Sequence, residues 1–243
     1  MNATTETGHA KNVANFQNLI TFVNRYGTTY NPSKDTLKIP HLNTIATNAQ
    51  SNLSYVIDKH TDYSNAVTNR HSAFENLKKL STRIINELII SETPEERIGE
   101  AKDFNRKIQE KIDGAIAQET NTDQPAPSTI NTSLLSYDMQ IHHFMGLIAL
   151  LKSEPGYKPN EGELKIDTLI ARQNDLIAKN HAVLVAHSFI NSARNERNQM
   201  LYSDNHGLVD IAAEVKNYVK SVYGSSSPEF SEVKGIEFEK VKM

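Results

Sequence analysis

The chain has 243 residues, 38% of them hydrophobic and 23% charged, which is enough for a sizeable core in one or two domains. Ten Gly and eight Pro are too few for an all-β chain, which needs a breaker at every turn, and the absence of Cys excludes disulfides, thiolate metal sites and Cys nucleophiles. A formal net charge of −3 provides no electrostatic attraction to nucleic acid or to an anionic membrane.

Taken in chain order, residues 1–11 read as a polar N-terminal tail. Residues 1–15 hold one Lys, one Glu and no apolar run, so no secretory signal is recognised. A first helical half is expected over 12–117. It starts with a short helix around Phe16, Leu19, Ile20 and Val23, followed by a turn at Tyr30-Asn31-Pro32. From Pro40 to Pro94 there is no intervening Gly or Pro, and apolar residues recur every seven positions. One row is Leu42, Ala49, Val56 and Tyr63, continued by Arg70, Leu77 and Ile84. The adjoining row is Ala46, Leu53, His60, Val67 and Phe74, continued by Ser81 and Leu88. Such a stripe lies on one side of a long helix, expected to run about forty residues and roughly 60 Å at about 1.5 Å per residue. A helix over Pro94–Ala117 follows, with Pro94 near its first turn and Glu95-Glu96 at its positive end.

Residues 118–133 (QETNTDQPAPSTINTS) are rich in Thr, Asn, Ser and Pro and read as a linker. A second helical half is expected over 134–243. The longest apolar run in the chain, Leu147–Leu151, is too short to cross a bilayer. A second long helix carries Leu169, Leu176, Val183, Ile190 and Arg197 and meets a turn at Ser203-Asp204-Asn205-His206-Gly207. In Pro228–Met243, Ile236 and Phe238 alternate with Glu237 and Glu239, which predicts a short strand or an extended tail.

The two halves read alike. Tyr30-x-Pro32 followed by Leu37-Lys38-Ile39 and Leu42 matches Tyr157-x-Pro159 followed by Leu164-Lys165-Ile166 and Leu169, each pair 127 positions apart. Phe16, Leu19 and Ile20 match Phe144, Leu147 and Ile148 at an offset of 128, and His60, Ala66 and Arg70 match His187, Ala193 and Arg197 at 127. A tandem duplication explains this register, and two copies suit a pseudo-symmetric bundle better than an open solenoid. By this equivalence the first long helix should break near Phe74–Lys79. The expected fold is therefore all-α: an elongated bundle of about seven helices built from two pseudo-symmetric tandem halves.

The segment KNVANFQNLITFVNRYGTTYNPSK, together with LVDIAAEVKNYVKSVYG near the C-terminus, resembles a family of uncharacterised all-helical bacterial proteins of about this length. The resemblance implies the helical fold and the duplication. It implies no activity, cofactor, partner or site residue.

Few residues offer chemistry. The single Glu-x-x-His is Glu6-x-x-His9 in the polar tail, and His-Glu-x-x-His is absent. His142 and His143 are adjacent, so on a helix they point about 100° apart. His60 and His187 occupy equivalent places on the stripe. They read either as a symmetric proton or metal pair or as polar interruptions that set helix register. Arg70 and Arg197 also fall on the apolar row and need a carboxylate partner or a route to water, and the alternative is an anion site shared between the halves. Tyr30-x-Pro32 and Tyr157-x-Pro159 read as helix-entry turns rather than peptide-docking motifs. No phosphate loop and no Gly-x-Ser-x-Gly elbow is present, and Lys78-Lys79 is the longest basic run.

There are 24 Asn in the chain, a dense use of a mediocre helix former. It reads either as a composition bias of the lineage or as neutral polar helix surfaces that pack against other protein copies with little charge repulsion. The expectation is a soluble, cytoplasmic, non-enzymatic structural protein that self-associates as an oligomer or filament, with no catalytic, cofactor or metal residue, no nucleic acid and no membrane. The alternative is an adaptor that accepts another protein's helix in a groove between its long helices.

Overall fold

The computed structural model describes residues 6–110 and 127–240, and every regular element among them is helical. In chain order these are α1 (Glu6–Arg25), α2 (Ile39–Phe74), α3 (Leu77–Ile90), α4 (Glu95–Gln109), α5 (Pro127–Ser153), α6 (Ile166–Tyr202), α7 (Leu208–Tyr223) and α8 (Pro228–Lys234). Single 3-10 turns precede α2 at Asp35–Leu37 and α6 at Gly162–Leu164.

The two long helices have 36 and 37 residues, or about 55 Å each at about 1.5 Å per residue. The absence of Gly and Pro from the body of α2 lets it run unbroken, and its apolar row is buried: Leu42, Ala49 and Val56 lie inside, as do Leu169, Leu176, Val183 and Ile190 on α6. Tyr63 is half-buried. The break expected near Phe74–Lys79 occurs at Glu75-Asn76, where Asn76 leaves helical geometry at φ −96°, ψ 0°. On α6 the corresponding stop is longer. Asn205 takes a left-handed φ of 62°, and Gly207 donates its N–H to the Ser203 carbonyl at 2.7 Å. A Cβ at Gly207 would stand 2.7 Å from the Ser203 nitrogen, so this turn requires glycine for close approach.

The helix-entry turn is built the same way twice. The Tyr30 hydroxyl donates to the Leu37 carbonyl at 2.8 Å, and Tyr157 donates to Leu164 at 2.9 Å. Burial pushes both phenol pKa values up, so both hydroxyls remain donors. Each Tyr thus closes a seven-residue loop that sets the direction in which the long helix leaves.

Contacts divide the described residues into two compact units, 6–61 with 189–240 and 62–110 with 127–188. In the first unit α1, the start of α2, the end of α6 and α7 enclose Phe16, Leu19, Leu42, Leu208 and Val215. In the second unit α3, α4, α5, the end of α2 and the start of α6 enclose Leu77, Ile84, Ile108, Phe144, Leu147 and Leu176. Each unit therefore draws one segment from each long helix. Gly146 lets the Phe104 ring approach α5, since a Cβ there would meet that ring at 2.3 Å. Arg97 ties α4 to the end of α5 through Glu154 at 2.8 Å and the Ser153 hydroxyl at 2.6 Å.

Four expectations are adjusted by these elements. Residues 6–11 are helical rather than a polar tail, with Gly8 and His9 buried, because their polar groups find partners at the far end of the chain. Helix α4 ends at Gln109, and the rest of the span expected to Ala117 lies, from 111, outside the described residues. Most of the expected linker also lies outside them, but 127–133 belong to the first turns of α5. Pro228–Lys234 forms a helix whose Ser227 hydroxyl caps Phe230 N–H at 3.0 Å. Beyond it residues 236–240 form no regular element, and Ile236 and Phe238 alternate in burial with Glu237 and Glu239.

Candidate functional site

The two arginines on the apolar row are both buried, in different units. In the second unit Arg70 is 4% exposed, and its guanidinium carbon lies 4.1 Å from the Tyr137 ring centroid. Its Nη1 donates to Asn180 Oδ1 at 3.0 Å, and Asn180 Nδ2 donates to the exposed Asp138 carboxylate at 2.6 Å. Desolvation pulls the Arg70 pKa down, and Tyr137, Tyr63 and Asp138 oppose it. In the first unit Arg197 is 2% exposed and pairs with Glu6 at 2.5 Å. Its Nε and Nη2 also reach Asn198 Oδ1, at 3.1 and 2.9 Å. Ion pairing, expected for both, is direct for Arg197 and relayed through an amide for Arg70. These contacts hold both guanidinium groups from within the protein, although the buried Arg70 Nε has no hydrogen-bond acceptor among the described residues.

His60 and His187 are half-buried and likewise fall in different units, with the His187 ring 5.8 Å from that of Tyr63. His142 and His143 stand edge to face at 5.7 Å, and desolvation, then Lys107 and His142, hold His143 below the ordinary imidazole pKa. Among the described residues no group of three or more His, Asp or Glu is placed to hold a metal ion.

Sequence reasoning missed a second polar set. His9 Nδ1 and the Tyr202 hydroxyl share a 2.6 Å hydrogen bond, and Asn12 Nδ2 donates to the same hydroxyl at 3.2 Å. The ring pair His9–Tyr202 has its counterpart in Tyr137–Phe74, 128 positions away at both members. The 127-residue register of the long helices pairs Phe74 with Leu201 rather than Tyr202, so this correspondence was hidden in the sequence. A surface depression of about 430 Å³ in the first unit is lined by Asn52, Glu196, Gln199, Met200, Ser203 and His206. Its Glu196 and His206 are both exposed, so it lacks the exclusion of water that a reaction centre uses.

Two surfaces are more informative. The first is the groove between α1 and α7, in which the strap 235–240 lies. Asn12 pairs with the strap backbone twice, donating to the Glu239 carbonyl at 2.8 Å and accepting from its N–H at 3.0 Å. Asn15 donates to the Glu237 carbonyl at 2.8 Å, and Lys216 to that of Ile236. Ile236 and Phe238 face the core while Glu237 and Glu239 face water. Lys240 closes the end on Asp210 at 2.9 Å.

The second surface is apolar and uncovered. On α6, Ile177 is 42% exposed, Leu184 47% and Val185 38% in the second unit, and Phe189 is 53% exposed in the first. Ile177 and Leu184 are seven apart and share a helix face, with Val185 on its flank. Lys59 lies within 5.5 Å of the Tyr55 ring and 6.0 Å of the Phe189 ring. Ile90, at the end of α3, is 77% exposed. Among the described residues no helix is long and apolar enough to cross a membrane.

Comparisons with protein-family models, with curated proteins and with solved structures find no match.

Proposed function

We propose that this chain is a non-enzymatic structural protein that self-associates through its helical faces. The observation that supports it is the uncovered apolar arc of α6 in the second unit, with Ile177, Leu184 and Val185 all more than a third exposed. Large apolar side chains grouped on one helix face, rather than scattered, mark interaction surfaces. Ala182 and Ser188 are exposed beside it, and neither carries charge. The buried arginines fit this reading, since their charges are spent inside each unit.

Light scattering from micromolar to near-millimolar protein tests the proposal. Particles larger than 27.2 kDa that grow with concentration are expected, and Ile177→Glu with Leu184→Glu should shrink them while circular dichroism stays helical. A 27.2 kDa particle at every concentration overturns it and favours the adaptor, whose helical partner would cover the same arc.

A further inference from the structure

We infer that the C-terminal segment 228–240 is an exchangeable arm, and that the α1/α7 groove of one copy accepts the arm of a second copy. The inference rests on the self-association proposed above and names a contact through which it proceeds. Three observations carry it.

Besides apolar packing, the groove grips its occupant through side-chain amides aimed at the strap's backbone. Asn12 and Asn15 pair with carbonyl and N–H groups of Glu237 and Glu239, as a neighbouring strand would. Such contacts can be remade identically with the same segment of another chain, so exchange costs little enthalpy.

The occupant is light compared with its counterpart in the other unit. There the space beside α3 and α5 is filled by α4, which buries Ala101 and Ile108 completely. In the first unit the space beside α7 and α1 receives α8 and the strap, with Val233 fully buried but Phe230, Ile236 and Phe238 only partly so.

The arm also has a hinge. Gly224-Ser225-Ser226 is exposed between α7 and α8, and Gly224 turns the chain at φ 90°, ψ 160°, a conformation glycine leaves freely. An opened hinge carries the arm away from its own α1, whose apolar groove then needs a replacement. Ion pairs at three points select the right filler: Arg25 with Glu232 at 2.5 Å, Lys11 with Glu239 at 3.9 Å, and Lys240 with Asp210 at 2.9 Å. If each copy gives its arm to the next, the contact is head-to-tail and repeats.

The native chain has no Cys, so engineered pairs report cleanly. The Asn12 side chain reaches the Glu239 backbone at 2.8 and 3.0 Å, so the two residues are in contact. Full-length Asn12→Cys chains are mixed with full-length Glu239→Cys chains and oxidised gently. A disulfide between residue 12 of one chain and 239 of another, identified by mass spectrometry, is expected. The double variant Asn12→Cys/Glu239→Cys, oxidised at low concentration, should lock its own arm and lose assembly, and reduction should restore it. Absence of the cross-chain disulfide, or assembly by the locked chain equal to that of wild type, overturns the inference while leaving self-association standing. As a measurement free of substitutions near the groove, a labelled peptide of residues 224–240 is added to wild-type chain. Binding that outcompetes a scrambled peptide is expected, and binding no better than the scrambled one counts against exchange.

Discussion

A guanidinium removed from water needs compensation, and Arg70 obtains part of it from the Tyr137 face and the Asn180 side-chain carbonyl. Arg70→Ala should cost about 3 kcal/mol in a denaturant melt, because it removes a packed stem and leaves Asn180 poorly satisfied. Glu6→Gln should cost under about 1 kcal/mol, since the Glu6 side chain is 50% exposed and its pair with Arg197 is screened. The paired hydroxyls give a second test. Tyr30→Phe and Tyr157→Phe should each cost about 1–3 kcal/mol and add within about 0.5 kcal/mol when combined, because they sit in different units. At the strap, Lys240 and the Asn205 N–H hold the Asp210 carboxyl below its ordinary 3.8. That contribution is present above pH 3.8 and is lost as pH falls through the lowered folded value. Lys240 is shifted up from 10.5, so its share is full below that pH and is lost as pH rises through the raised value. The NMR shifts of Glu237–Lys240 should therefore move toward random-coil values in acid, and Asp210→Asn should abolish that acid step.

At the scale of the helix, periodicity located the buried row well. Leu42, Val56, Leu169, Leu176 and Val183 are inside because a seven-residue repeat keeps returning to one face. Periodicity is silent about the opposite error, an apolar residue on the wet face, so Ile177 and Leu184 went unnoticed until their exposure was known. The break at Glu75-Asn76 was visible only by analogy with the Gly207 turn, because Asn76 interrupts a helix without the signature of Gly or Pro. Helix α1 was misjudged at its start because Glu6 and His9 are polar, and their partners Arg197 and Tyr202 lie almost the whole chain away. The same distance concealed Asn12 as a clamp. Leu176→Ala, at a fully buried site, should cost about 3–5 kcal/mol, and Leu53→Ala, at 8% exposure, about 2–3 kcal/mol. Gly207→Ala should cost about 1–3 kcal/mol, since backbone rather than a movable side chain blocks its Cβ. Urea midpoints with unchanged slopes would measure all three.

For the whole molecule, each long helix contributes residues to both units, α2 changing unit at Thr61-Asp62 and α6 at Ser188-Phe189. Melting one unit therefore frays a helix on which the other depends. Calorimetry should show a single transition for the native chain. A proline at Asp62, which interrupts α2 at a cost of about 3 kcal/mol, should separate the melt into two.

The interleaving of segments also dictates when each core can close during synthesis. Residues 62–188 emerge from the ribosome as a consecutive block and can bury their apolar groups as soon as α6 begins to appear. The first sixty residues cannot do so, because α1 awaits α7 and the strap, whose contacts with Asn12 span 227 positions. At about 5–20 residues per second the wait lasts roughly 10–40 s, during which Phe16, Leu19 and Val23 remain without their native cover. Ribosome-stalled chains ending near residue 200 should thus protect α3 and α5 from protease while α1 is cut, and release of the full chain should protect α1 last. The first sixty residues precede the block 62–188 in synthesis and follow it in folding, and they are the segment for which a nascent-chain chaperone would matter most.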